Sequence, residues 1–268
     1  MNYLQIFKDA IRLFRTSRLI WIFGIFSILP NLYHPIYQFA KGSFTLLCLA
    51  AAIGFALIPF SLIGEGGLIH ITYQKLFDNN PNFSEAWLSG RTRIYRLIGV
   101  LLLSGLGYLI LYLIFYFIGL QIPGSSFLWI GAIILSTFPE SLYTFGICAV
   151  IINHAKVVAA AWTGLLITLN NLFRVLIIFG IVFLIRLFVT ALLVSILAFG
   201  PGKSILPTPL AFDYQTYFNL LITPVIATSQ LVLSLFLEPL QTVMFTLGYI
   251  RFTREITYPA LPKLQNPA

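Results

Sequence analysis

Only 9% of the 268 residues are charged and 59% are hydrophobic, against roughly 25% charged in an ordinary soluble domain, which excludes a water-soluble globule of this length. The net charge of +8 raises the question of nucleic acid, but the basic residues sit at the ends of apolar runs rather than on a groove-reading element, which argues against that partner. The partner these features point to is the lipid bilayer, and the fold class is all-α, because the runs are continuously apolar where barrel strands would alternate over ~10 residues.

The chain begins with a segment patterned as a surface helix. Leu4, Phe7, Ile11 and Phe14 fall at helical spacing, with Lys8, Arg12 and Arg15 on the other side, so residues 1–18 are predicted to lie in the membrane interface. The run LIWIFGIFSIL then opens the first span. Basic residues ahead of it imitate a signal peptide, but no clean small-x-small site follows and a patterned helix precedes it, so it is expected to stay in place. Six membrane-spanning helices are expected, at 19–40, 44–70, 94–119, 127–152, 172–199 and 220–250, each near or above the ~20 residues that cross a bilayer core. Trp21 and Trp129, at span ends, read as interface anchors.

The opening pattern recurs. Residues 82–103, NFSEAWLSGRTRIYRLIGVLLL, carry Asn82 and Glu85 at capping-box spacing, an apolar side of Phe83, Trp87 and Ile94, and then Arg91 and Arg93. A more apolar copy is VVAAAWTGLLITLNNLFRVLII, residues 157–178. The pair Ala86-Trp87 recurs as Ala161-Trp162, 75 residues on, and Ala10-Ile11 lies 76 residues earlier; Arg18, Arg96 and Arg174 begin the following spans. One transmembrane domain, 1–268, is therefore expected to hold three repeated units, 1–75, 76–153 and 154–258, each an interfacial helix plus two spans. The alternative is that any surface helix feeding a span looks like this.

With those spans, Lys8, Arg12, Arg15, Arg18, Lys75, Arg91, Arg93, Arg96, Lys156, Arg174, Arg251, Arg254 and Lys263 share one side, while Lys41 and Lys203 are on the other. That asymmetry places both termini in the cytoplasm, with the basic residues setting topology and meeting anionic headgroups.

The stretches LFRTSRLIWIFGIF, EGGLIHITYQKLFDNNPNFSEAWLSGRTRIYRLIGVLLL and CAVIINHAKVVAAAWTGLLITLNNLFRVL resemble a loose group of prokaryotic six-span membrane proteins, many of unknown function. The group includes the membrane domain attached to some glycerophosphodiester phosphodiesterases. The resemblance implies six helices and a bacterial or archaeal plasma membrane. These residues hold no soluble phosphodiesterase barrel, so that activity is not carried over.

Three acidic residues fall inside predicted spans: Glu65 in LIGEGGL, Glu140 in TFPESL and Glu238 in LFLEPL, with Glu65 and Glu140 again 75 residues apart. Each costs roughly 2.5–3.5 kcal/mol at a helix centre, so such groups face the bundle interior. Arg186 is the lone basic residue within a span, twelve after Arg174, while Glu238 is thirteen before Arg251. At ~1.5 Å per residue both lie roughly 18–20 Å from one surface, and an Arg186–Glu238 ion pair is expected, with Glu140 slightly deeper and Glu65 nearer the cytoplasm. One guanidinium cannot neutralise three carboxylates, so at least one Glu should be protonated or stand in water. Pro59, Pro139 and Pro239 near these residues invite kinks, and Gly64, Gly66 and Gly67 permit close helix packing.

Other chemistry finds no footing. His70 is five residues after Glu65, about 140° around a helix, and His34 and His154 belong to opposite faces, so no metal site is expected. Cys48 and Cys148 sit at opposite depths, which argues against a disulfide. No nucleophile elbow, Walker loop or dinucleotide fingerprint is present, so neither cofactor nor catalytic residue is expected. The favoured reading is a non-enzymatic integral membrane protein of transport-like or envelope-support type, with Glu65, Glu140, Arg186 and Glu238 as an intramembrane charge cluster. The alternatives are a membrane-embedded enzyme acting on lipid, and a structural subunit binding partner membrane proteins.

Overall fold

The computed structural model describes residues 3–32, 43–77, 79–121, 126–199 and 223–257, and these hold helices and joints with no strand among them. In chain order they are α1 (Tyr3–Thr16), α2 (Arg18–Ser27), a 3-10 turn (Leu29–Leu32), α3 (Phe44–Leu76), α4 (Phe83–Arg91), α5 (Ile94–Gln121), α6 (Ser126–Ile152), α7 (Val157–Asn170), α8 (Leu172–Phe199) and α9 (Thr223–Thr257). The fold is an all-helical bundle.

Three segments are long and apolar enough to cross a membrane: Phe44–Leu76, Ile94–Ile118 and Leu135–Ile152. A fourth, Val157–Asn170 with Leu172–Ile185, qualifies only if a pair bent by 98° counts as one span. The six expected spans are therefore reduced to three or four among the described residues. The first expected span, 19–40, is not one helix, because α2 stops at Ser27 after ten residues, a rise of about 15 Å. Its end is fixed by side chains: Ser27 Oγ donates to the Gly24 carbonyl at 2.8 Å, and Ser61 Oγ donates to the Ser27 carbonyl at 2.6 Å. Residues 33–42 lie outside the described residues. The last expected span falls in α9, where Ser234, Glu238, Gln241 and Thr242 dilute the apolar run.

Short helices α1, α4 and α7 are each separated from the next helix by only one or two residues, and the α7–α8 pair is bent by 98°. The α4 start is capped as its sequence predicts, with Asn82 Oδ1 accepting from the Glu85 amide at 2.8 Å. The Trp21 indole closes the α1–α2 joint by donating to the Phe14 carbonyl at 3.0 Å. The expected apolar face of α1 is displaced. Its buried residues are Ile6 and Ala10, with Ser17 buried just beyond its end, whereas Phe7, Ile11 and Phe14 are half-buried. The physical reason is that α1 packs against α9 as well as α2, so its innermost stripe is chosen by protein rather than by the moment of the isolated helix. Asp9 and Arg251 pair across that contact at 2.9 Å.

Helix α3 is the central post. It packs against α2, α4, α6 and α9, and small residues allow it: a Cβ on Gly66 would stand 3.0 Å from the Gly90 Cα of α4, and one on Gly90 would stand 2.6 Å from the Ile63 carbonyl oxygen. The core continues through Phe145 of α6, whose ring meets Phe245, Tyr249 and Phe252 of α9 at 6.0–6.4 Å. By contrast α5 leaves Leu102, Leu106, Tyr112 and Phe117 exposed, an apolar surface suited to hydrocarbon. Both cysteines are free thiols, as expected from their separation.

Candidate functional site: a cavity lined by three carboxylates

Helices α3, α6 and α9 converge on one cavity of about 240 Å³, and Glu65, Glu140 and Glu238 all line it. Each carboxylate comes from a different helix, and the local sequence explains its placement. Gly64, Gly66 and Gly67 thin α3 around Glu65, so Ser27, Phe23 and Gly90 come into direct contact with it there. Pro139 and Pro239 sit inside their helices beside Glu140 and Glu238, and each lacks the amide that would bond the carbonyl one turn earlier. The Pro139 carbonyl takes a hydrogen bond from Ser104 Oγ at 2.8 Å.

Tyrosine hydroxyls meet two of the carboxylates. Tyr143 donates to Glu65 Oε2 at 2.7 Å, crossing from α6 to α3. Tyr108 of α5 donates to Glu140 Oε2 at 2.5 Å. Tyr143, Thr144, Gln241 and Thr242 complete the polar wall, against an apolar side of Ile69, Ile147 and Phe245. Thr242 returns its hydroxyl to the Glu238 carbonyl at 3.1 Å, and Gln241 Oε1 is buried without a hydrogen-bond partner among the described residues. The cavity thus offers two acidic groups, Glu65 and Glu140, bonded by tyrosine hydroxyls, together with the buried Gln241 acceptor.

Of the four residues expected to cluster, the three Glu come together. The side chain of Arg186, and with it the expected Arg186–Glu238 ion pair, lies outside the described residues. Ile185 and Leu237, the sequence neighbours of Arg186 and Glu238, line one small void with Val182, Leu240, Gln241 and Met244. Among the described residues no group of three or more His, Cys, Asp or Glu is arranged to hold a metal ion.

The tyrosines went unnoticed in the sequence, although Tyr143 is one helical turn after Glu140 and Tyr108 one residue after Gly107, whose missing side chain leaves room for Pro139. No family model, no curated protein and no solved structure matches this chain.

Proposed function

We propose that this chain is a multi-pass protein of a prokaryotic plasma membrane that carries protons or small cations through the cavity formed by Glu65, Glu140 and Glu238. The observation that supports this most is the convergence of three carboxylates from three helices on one cavity. Ionisable groups are kept at such depth when they face an interior path or cavity. Tyrosine hydroxyls suit the role, because a neutral donor stabilises a carboxylate while leaving its proton exchangeable. A membrane-embedded enzyme acting on lipid, and a purely structural subunit whose polar centre only fixes packing, are the alternatives, and a water-filled cavity with exchangeable protons would favour transport over the second.

The wider architecture belongs to the same reading: six crossings in three units, with both termini cytoplasmic, as in the prokaryotic six-span group the sequence resembles. Ala10, Ala86 and Ala161, at matching positions of the three short helices, are all buried. The Asp9–Arg251 pair brings the first helix to the end of the last, as an even number of crossings requires.

The test is a proton-flux assay. Liposomes containing the purified chain and an entrapped pH-sensitive dye should dissipate an imposed pH gradient faster than empty liposomes. Glu65→Gln and Glu140→Gln should abolish the difference while melting close to wild type in detergent. A gradient held as long as in empty liposomes would overturn the reading, and Gln variants with full flux would remove the carboxylates from it.

A further inference from the structure

A second polar cavity, of about 510 Å³, opens at the far end of α3 from Ser43, among the C-terminal parts of α3, α4 and α6. Its chemistry differs from that of the carboxylate cavity. Arg93, at the α4–α5 joint, donates through Nη1 to the Ser89 carbonyl at 2.9 Å and to Ser89 Oγ at 2.8 Å. Its Nε and Nη2 reach a single acceptor, His154 Nδ1, at 3.1 and 2.6 Å. An arginine cannot accept, so Nδ1 must, and the ring proton of a neutral His154 is on Nε2. A second arginine fixes the same residue, with Arg96 Nη1 on the His154 carbonyl at 2.8 Å.

His154 has the left-handed backbone, φ 56°, that closes α6. For a residue other than glycine this stores roughly 1–3 kcal/mol, a cost concentrated at functional positions. The amides of Asn153 and Ala155 both return to the Ala149 carbonyl, at 3.1 and 3.2 Å, so the strained turn is held firmly. Burial first, and the neighbouring Arg96 charge second, pull Arg93 below its ordinary pKa, since both disfavour its charged form.

A separate observation comes from α3. His70 lines the cavity, and its Nε2 is buried with no hydrogen-bond partner. A buried polar atom without a partner costs about 1–3 kcal/mol and calls for an occupant. Glu85 lines the same space, which disfavours a bare multivalent anion and suits one carrying a cationic or polar substituent. Leu88, 56% exposed, forms part of the lining, so the cavity borders apolar surface as well as water.

From these features we infer that the cavity lined by His70, Arg93 and His154 binds a phosphate ester, with Arg93 and the His154 Nε2–H as its donors, His70 Nε2 as the third polar partner, and Glu85 facing the substituent. A lipid headgroup and a soluble phosphate ester share this chemistry, and two arms of one experiment separate them. In the first, the purified chain in neutral detergent is titrated with phosphoethanolamine by calorimetry. In the second, the chain is taken from phosphatidylcholine nanodiscs containing phosphatidylethanolamine, and the retained lipid is weighed by native mass spectrometry.

If the source is soluble, the titration gives saturable binding that Arg93→Gln and His70→Leu each weaken about tenfold or more, the scale of one charge-assisted hydrogen bond. If the source is lipid, phosphatidylethanolamine is retained by the wild type and lost from both variants. His70→Leu carries the argument if Arg93→Gln fails to fold. Deleting an unpartnered polar atom should leave the empty protein at least as stable as wild type, while the binding it supported is lost. Binding in neither arm, or binding unchanged in His70→Leu, overturns the proposal.

Discussion

The carboxylate cavity and the arginine-lined cavity solve opposite problems with opposite donors. In the first, the carboxyl oxygens of Glu65 and Glu140 are met by neutral donors, the hydroxyls of Tyr143 and Tyr108. In the second, charged donors are met by neutral acceptors, His154 Nδ1 and backbone oxygens. The α1–α9 contact differs from both, because there Asp9 and Arg251 pair directly. A pair neutralised within the protein needs nothing further. On the proposed readings, groups bonded to neutral partners keep charge available for something that arrives and leaves, and both cavities then act as binding places rather than clasps.

The largest expected effect comes from a substitution that disturbs the scaffold shared by both sites. Gly90→Val puts side-chain atoms against the Ile63 backbone, a contact that cannot give, and should cost about 3 kcal/mol or prevent folding. The melting temperature in detergent reads it, and a wild-type melt would mean that α3 and α4 are not locked together there. Next, Tyr143→Phe removes the hydroxyl that Glu65 accepts from. It should cost about 1–3 kcal/mol, whereas Tyr143→Phe combined with Glu65→Leu should recover much of that loss. Equal losses in the single and the double variant would show that the tyrosine matters only for packing.

His154→Gly sharpens the contrast from the other side. It relieves the left-handed strain but strips Arg93 of its acceptor, so the two effects should cancel to within about 1 kcal/mol while phosphate-ester binding is lost. A large drop in stability would mean that the turn, rather than a ligand, is what Arg93 serves. The smallest effect belongs to the clasp. Asp9 and Arg251 are each about a third exposed, so Asp9→Asn should cost less than about 1 kcal/mol, and added salt should shrink the difference between the two melts.

The three acidic residues were legible because ionisable residues in an apolar run are rare, and Glu65, Glu140 and Glu238 line one cavity. The small-residue packing of α3 was legible for a similar reason, since three glycines around Glu65 have few other uses. The extent of α2 was not. Apolar character continues through IFSIL beyond Ser27, and only hydrogen bonds from a distant residue, Ser61, show that the helix ends there. The inner face of α1 escaped because Ile6 and Ala10 form a stripe as plausible as the one containing Phe7 and Ile11, and the choice is made by α9. Arg93 and His154 are 61 residues apart, and Arg93 read as one more topology-setting charge.

The Asp9–Arg251 contact also has a consequence in time. Its partners are separated by 242 residues, so at roughly 5–20 residues per second of synthesis the first helix waits on the order of 10–50 s for its neighbour to exist. Throughout that interval the buried side of α1, Ile6 and Ala10, has no α9 to pack against. A helix able to rest in the membrane surface has somewhere to wait, so the amphipathic pattern of α1 and its final burial belong to successive stages of one maturation. Docking of α1 then becomes a late step, and shortening the chain before Arg251 should leave residues 3–16 open to protease while the earlier helices remain protected.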